Sequence, residues 1–276
     1  IVDVATHPQP REQILADAIR AGKHALSQKP FVVDLGVGRK LVSAAKRRGV
    51  CLAVNQNGRW APHFSYLRHA VAAGLIGDLV SIDIAIHWDH NWVHGTPFDR
   101  VPQLLLYDFA VHWFDMLHCL TPGQRPREVQ ARLSKGRHQT ARPPLQASVQ
   151  VLYPNLLATL VFRGSTPCGA YDKTVVVGTK GTLVSEGPDL NHQTVRLITP
   201  RGMASPRLRG TWFTSGFEGT MGELACAVDQ QREPYHSARH NLPSLALAFA
   251  AIASADCGQP VRVGTVEQLR PEWIAG

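Results

Sequence analysis

Over the first sixty residues, short continuous apolar runs alternate with apolar stripes at helical spacing. IVDVAT (1–6) is an apolar run that ends at His7-Pro8, a strand entering a loop. Ile14, Leu15, Ala18 and Ile19 share one face of a helix from Arg11 to Ala21, with Gly22 as its stop. Residues 24–26 read as a brief strand. Asp34 is placed to cap a second helix that buries Val37, Leu41 and Ala45 and stops at Gly49. VCLAVN (50–55) is another buried run. A β-α-β-α-β order predicts parallel strands joined by right-handed crossovers.

After about residue 58 the pattern changes. Phe64, Leu67 and Val71 mark a helix ending at Gly74. LVSIDIAIHW (79–88) then alternates strictly, with Val80, Ile82, Ile84 and Ile86 on one side and Ser81, Asp83 and His87 on the other. A helix is expected over 103–120, then strands near 127–133, 145–152, 156–162, 173–178 and 193–199, with a tight turn at GTKG (178–181). Two helices, near 217–231 and 240–257, precede the VRV segment (261–263). HQTARPP (138–144) is expected to be a mobile loop. The expected fold class is therefore α/β: a partial Rossmann-type unit over 1–57, then an α+β domain over 58–276 built on a large, mainly antiparallel open sheet.

Composition narrows the classes. Of the 276 residues 44% are hydrophobic and 18% charged, a globular balance. No apolar run approaches the roughly 20 residues needed to cross a bilayer, so no membrane partner is expected. The formal charge of +8 comes from basic residues scattered between Arg11 and Arg270 rather than from a dense stripe, which argues against nucleic acid. Cys51, Cys119, Cys168, Cys226 and Cys257 lie far apart without a CxxC pair, which predicts reduced thiols, a cytoplasmic protein and no structural metal.

Three segments carry chemistry. In AGKHALSQKP (21–30), Lys29 precedes a proline, which holds it extended at the carboxyl end of a strand. That end is where open α/β sheets bind ligands, although Lys29 alone also reads as an ordinary surface lysine. In LLLYDFAVHWFDML (104–117), Asp108 and His112 are four apart and share a face if the segment is a continuous helix, with Asp115 three further on. This is either an acid–base unit, in which the carboxylate fixes the imidazole tautomer, or a surface ion pair. HWDHNWVHG (87–95) carries His87, His90 and His94. Those histidines read as surface residues, as the lining of a polar cleft or, less readily, as metal ligands.

Together these segments resemble a known family. AGKHALSQKP is similar to the AGKHVxxEKP signature of the glucose–fructose oxidoreductase/inositol dehydrogenase (Gfo/Idh/MocA) family, and DFAVHWFD to its DxGxHxxD helix. VATHPQPR (4–11) resembles the ATPPxxH loop, NQNGRWAP (55–62) the segment with its arginine and proline, and AAGLIGDLVSI (72–82) the xxGxIGxxxxI turn. VVVGTKGTL (175–183) and ALAFAAIASADCGQPVRV (246–263) match later landmarks in order. The resemblance implies an NAD- or NADP-dependent oxidoreductase acting on a sugar, polyol or related carbonyl, assembled as a homodimer or homotetramer through the open sheet. It places Lys29, Asp108 and His112 at the catalytic positions, with His112 as base, Asp108 orienting its ring and Lys29 on the reacting oxygen. Thr6, His7, Gln28, Lys29, Asn57 and Arg59 fall where the family contacts the cofactor. Gln28, Arg11, His7 and Ala110 depart from the motifs. The resemblance also implies that a glycine-rich turn and about two βαβ units, on the order of 60–70 residues, belong ahead of Ile1. The 276 residues alone are expected to bind neither NAD(H) nor NADP(H) measurably. Alternatives are an NAD-dependent glycosidase of the same family, a non-catalytic binding or scaffolding fragment, or a metal hydrolase built on the three histidines.

Overall fold

The apolar runs near the start become three parallel strands, β1 (Val2–Val4), β2 (Ala25–Ser27) and β3 (Leu52–Val54), in the spatial order β1-β2-β3. A computed structural model describes residues 1–274. Every residue of β2 and β3 is buried, as expected of parallel strands covered on both faces. The crossovers are α1 (Pro8–Arg20) and α2 (Leu35–Arg48). At the start of α2 the Asp34 carboxylate accepts the Val37 N–H at 3.1 Å, and Gly49 ends the helix with φ 70°, a conformation that costs glycine little.

Beyond α3 (Pro62–Ala72) runs β4 (Leu79–His87), whose Ile82, Ile84 and Ile86 are buried. Val80, expected on the same face, is instead 48% exposed. The register of β4 against residues 171–178 shifts between Leu79 and Ser81, and a one-residue slip turns a side chain to the other face. The helix expected over 103–120 is two pieces: a π-helical turn, Leu105–Phe109, and α4 (Val111–Leu120).

The remaining strands are β5 (Glu128–Ser134), β6 (Gln146–Leu152), β7 (Leu157–Arg163), β8 (Tyr171–Gly178), β9 (Thr182–Gly187), β10 (Thr194–Thr199) and β11 (Gly202–Ala204). The long helices α5 (Trp212–Asp229) and α6 (Ala238–Cys257) and the short β12 (Val261–Arg262) follow. The large sheet has nine strands in the order β11-β10-β9-β8-β4-β7-β6-β5-β12. It is antiparallel throughout except for the β4–β7 pair, so the mainly antiparallel sheet expected from the sequence is present. Sequence reading passed over β9 and β11 and started α5 five residues late. The loop expected to be mobile is tied down: the Gln139 amide donates to the carbonyls of Ala141 and Pro143 at 2.8 and 2.7 Å, and Asn91 Oδ1 accepts the Thr140 N–H at 2.9 Å.

Helix α6 packs on α2, α4, β3 and β5, and so joins the two sheets. The strand ends of the small sheet therefore face the π-turn and the start of α4.

Candidate functional site

Lys29 follows β2 by two residues. The Gln28 side chain accepts the Lys29 backbone N–H at 2.8 Å, which fixes the direction in which the lysine leaves the strand. Lys29 Nζ then crosses to the other sheet's π-turn, donating to Asp108 Oδ1 and to the Asp108 carbonyl, each at 2.9 Å. Both side chains are 16% exposed. An ammonium has three protons, so this geometry leaves one for a ligand.

The sequence reading had Asp108 orient the His112 ring, and the structure assigns that carboxylate differently. A π-turn inserts a residue into the helical repeat, so residues 108 and 112 no longer sit one above the other, and Asp108 bonds Lys29. The His112 ring is held instead between two indoles set nearly perpendicular to it: Trp113 at 6.3 Å and Trp212 at 5.8 Å. Its Nδ1 is sealed from solvent without a hydrogen-bond partner. Burial, and then the charge of Lys29, hold His112 well below the ordinary histidine pKa, so the ring is neutral at neutral pH. Trp212 begins α5; its Nε1 donates to Asn57 Oδ1 at 3.2 Å and its backbone N–H to Asn191 Oδ1 at 3.1 Å.

The residues expected to contact a cofactor separate into two groups. Thr6 and Gln28 lie just past the carboxyl ends of β1 and β2, and His7 is exposed at the start of α1. Thr6 Oγ1 is buried without a partner, as are Asn55 Oδ1 and Gln56 Oε1 immediately after β3. Unpaired buried polar atoms are costly, and three at the strand ends of one parallel sheet fit a polar ligand laid across them. This suits the nicotinamide and ribose half of a dinucleotide. No G-x-G-x-x-G occurs in the 276 residues to cradle a pyrophosphate.

Asn57 and Arg59 belong to the other group and are occupied elsewhere. Asn57 serves Trp212. Arg59, 2% exposed, donates Nε and Nη2 to both Asp115 oxygens at 2.7 and 2.6 Å and Nη1 to the Tyr235 carbonyl at 2.7 Å. Burial opposes the Arg59 charge, but Asp115 outweighs that penalty and raises its pKa. Arg59 is thus a brace between the short turn Asn57–Trp60, α4 and the loop before α6, with a donor on each of its three nitrogens spent inside the protein.

Arg11, which stands where the family motif has histidine, is also a brace. It is buried, and its guanidinium donates to the carbonyls of Thr6 and Pro30, fastening the loops after β1 and β2 together. The three histidines of residues 87–94 do not converge. His87 stacks on Tyr171 at 4.2 Å, His90 stacks on Phe109 at 4.3 Å, and His94 faces Asp99. Among the described residues no group of three or more metal-ligating side chains comes together. The sequence reading missed Trp212, Asn55 and Gln56; the last two were legible as polar residues ending an apolar strand, whereas Trp212 is distant in sequence from everything it touches.

Residues 1–56 match the profile described as "Oxidoreductase family, NAD-binding Rossmann fold", and residues 64–184 match the GFO/IDH/MocA C-terminal domain. D-apiose dehydrogenase of Paraburkholderia graminis is 27% identical, over 98% of this chain and 74% of that protein. An uncharacterized oxidoreductase of Schizosaccharomyces pombe is 27% identical over 68% of this chain, and there the match takes in only about half of the relative, 53%. The solved structure of an Agrobacterium radiobacter oxidoreductase in complex with NAD+, L-tartaric acid and magnesium superposes with a TM-score of 0.84, covering 96% of this chain and 80% of that one at 19% identity. At that identity the likeness speaks for the fold.

Proposed function

The chain belongs to the Gfo/Idh/MocA oxidoreductase family, and from that premise we propose that it forms the substrate and nicotinamide side of an NAD- or NADP-dependent oxidoreductase acting on a secondary hydroxyl, or the corresponding carbonyl, of a sugar or polyol. The observation that carries this reading is the convergence of a lysine with one free ammonium proton and a neutral histidine at the carboxyl ends of a parallel sheet. Relatives named D-apiose dehydrogenase, 1,5-anhydro-D-fructose reductase and inositol 2-dehydrogenase support the substrate class.

A bound nicotinamide would supply the hydride acceptor or donor, and Thr6, Asn55, Gln56 and Gln28 are the residues to hold its end of the dinucleotide. Loss of hydride from a carbinol carbon requires that the hydroxyl proton leave too. His112 takes that proton at Nε2, the ring nitrogen not sealed in the interior, and its depressed pKa keeps it unprotonated beforehand. Lys29 points its remaining proton at the same oxygen and stabilises the negative charge that develops there. Asp108 acts through Lys29, holding the ammonium by two hydrogen bonds. Trp113 and Trp212 keep His112 dry and upright.

The test is NAD(P)-linked turnover of an aldose and polyol panel, with residues 1–276 alone and with the same residues fused behind the glycine-turn half of a relative's dinucleotide domain. Lys29→Ala and His112→Ala are each expected to lower kcat by about 10²–10⁴. Near-wild-type kcat in His112→Ala would remove the histidine from this role. We also propose self-association through the large sheet, whose strands expose Val80, Leu152, Leu157 and Ile198. Light scattering should then report a dimer or tetramer, and Leu157→Asp should shift it toward monomer.

A further inference from the structure

The β4-to-π-turn connection, residues 88–104, holds aromatic side chains that the fold does not need to bury. Trp92 is 58% exposed and Phe98 36%. Their rings meet edge to face at 6.3 Å, and Trp92 also lies 6.3 Å from Phe109, the residue next to Asp108. We propose that Trp92 and Phe98 form a stacking platform for the apolar face of a second pyranose ring, adjoining the hydroxyl-bearing carbon held at Lys29 and His112.

Three features separate this surface from a casual exposed tryptophan. The first is rigidity. Trp92 Nε1 donates to His90 Nδ1 at 3.3 Å, and His90 stacks almost parallel on Phe109, with 19° between the planes. The His90 backbone N–H is itself anchored on the Gly164 carbonyl at 2.7 Å, and a Cβ at Gly164 would approach the His90 ring to 3.2 Å. A ring immobilised before binding loses little further entropy on contact.

The second is chemistry. The indole N–H is spent inside the protein, so Trp92 offers its π face rather than a donor. His90 is kept neutral, pushed down to about 4 by burial against the opposing charges of Asp89 and Asp108, and so remains an acceptor for that N–H through the neutral range. A pyranose has axial C–H faces to lay on such a ring and hydroxyl edges to keep in water. The third is continuity: Asp108, which holds Lys29, lies near enough to His90 to act on its charge, and His90 is the ring that accepts the Trp92 N–H and stacks on Phe109. It gives this chain a reason to prefer a glycoside or disaccharide over a free polyol. This specificity rests on the function proposed above, but the platform itself does not.

The experiment uses residues 1–276 labelled at the tryptophan indole nitrogens, with cellobiose and, separately, the linear polyol glucitol as probes. Cellobiose should move the Trp92 indole signal, identified by its loss in Trp92→Ala, and saturation of the protein should transfer to the ring C–H protons. Glucitol should leave the Trp92 signal in place. Trp92→Ala should weaken cellobiose binding about fivefold to tenfold, with Trp92→Phe recovering part of it, since an aromatic contact of this kind is worth about that much. The proposal fails if cellobiose leaves the Trp92 signal unmoved up to its solubility, if Trp92→Ala binds it as well as wild type, or if AMP occupies the platform in preference. Stacking of cellobiose without NAD(P)-linked turnover of any sugar by the fusion that carries a glycine-rich turn would sink the oxidoreductase reading and leave the platform standing. Turnover without stacking would do the reverse.

Discussion

Removing the Asp115 carboxylate should destabilise the fold more than removing either residue of the Lys29–Asp108 pair. Arg59 and Asp115 are 2% and 1% exposed, against 16% for each partner of the other pair. In Asp115→Ala the guanidinium stays buried with Nε and Nη2 deprived of both carboxylate oxygens, and Ser244 Oγ loses the Asp115 oxygen it meets at 3.3 Å. Stranding one member of a buried pair costs about 3–5 kcal/mol. At about 2–4 °C of melting temperature per kcal/mol for domains approaching this size, the shift is on the order of 6–20 °C. Lys29→Ala, at a wetter pair, should cost about 1 kcal/mol. The double variant Arg59→Met/Asp115→Leu replaces charge by apolar volume and should recover most of the loss, because the penalty lies in the orphaned charge rather than in the missing attraction. Urea and thermal unfolding followed by circular dichroism measure all four proteins. An Asp115→Ala variant within 1 kcal/mol of wild type would show that water reaches Arg59, and the brace argument would fall with it.

Asp172 is 1% exposed with both carboxylate oxygens unpartnered, and burial pushes its pKa up to about 8, with Asp189 adding to the effect. The folded protein therefore keeps a proton that the unfolded chain releases above about pH 4, so this residue costs stability as pH rises from about 4 to 8. Asp172→Asn should raise the melting temperature at pH 8 well above any gain near pH 4, and equal gains at both would refute the assignment. His63 has the opposite sign: burial lowers it to about 3, so the folded state refuses a proton that the unfolded chain takes up below about pH 6.5. Stability should fall on acidification, and His63→Phe should flatten that slope by one proton in a denaturation series against pH. Calorimetric titration of NADH into residues 1–276 should give much weaker binding than into the fusion that carries a glycine-rich turn, because the orphan atoms of Thr6, Asn55 and Gln56 address only the nicotinamide half. Micromolar affinity in the unfused chain would point to a pyrophosphate site among these residues.

What the sequence disclosed and what it hid divide along a physical line. Asp34, Gly49, the buried runs of β2 and β3 and the inward isoleucines of β4 obey rules that act within a few residues, namely capping, φ preference and periodicity, and each is where those rules put it. Val80 broke the same periodicity because a bulge depends on the partner strand. The departures at the site are of that second kind. Spacing alone put Asp108 over His112, on the assumption of a regular helix, and the π-turn redirects the carboxylate to a lysine 79 residues away. Arg59 fell at a cofactor position by family resemblance, and Arg11 stood where the family's loop has a histidine. Their actual partners are distant in sequence: Pro30 meets Arg11 only where the loops after β1 and β2 come together, 19 residues apart, and Asp115 meets Arg59 only where α4 packs on the turn after β3, 56 residues apart. The consequence is mechanical. The groups proposed to do chemistry are few and each keeps one free valence, a proton on Lys29 and Nε2 on His112. Around them the buried charges of Arg11, Arg59 and Asp115 are spent on holding strand ends and helices together. A substitution among the bracing residues should therefore act on stability first and on turnover only through the geometry it loosens, whereas one at Lys29 or His112 should act on turnover with the fold intact.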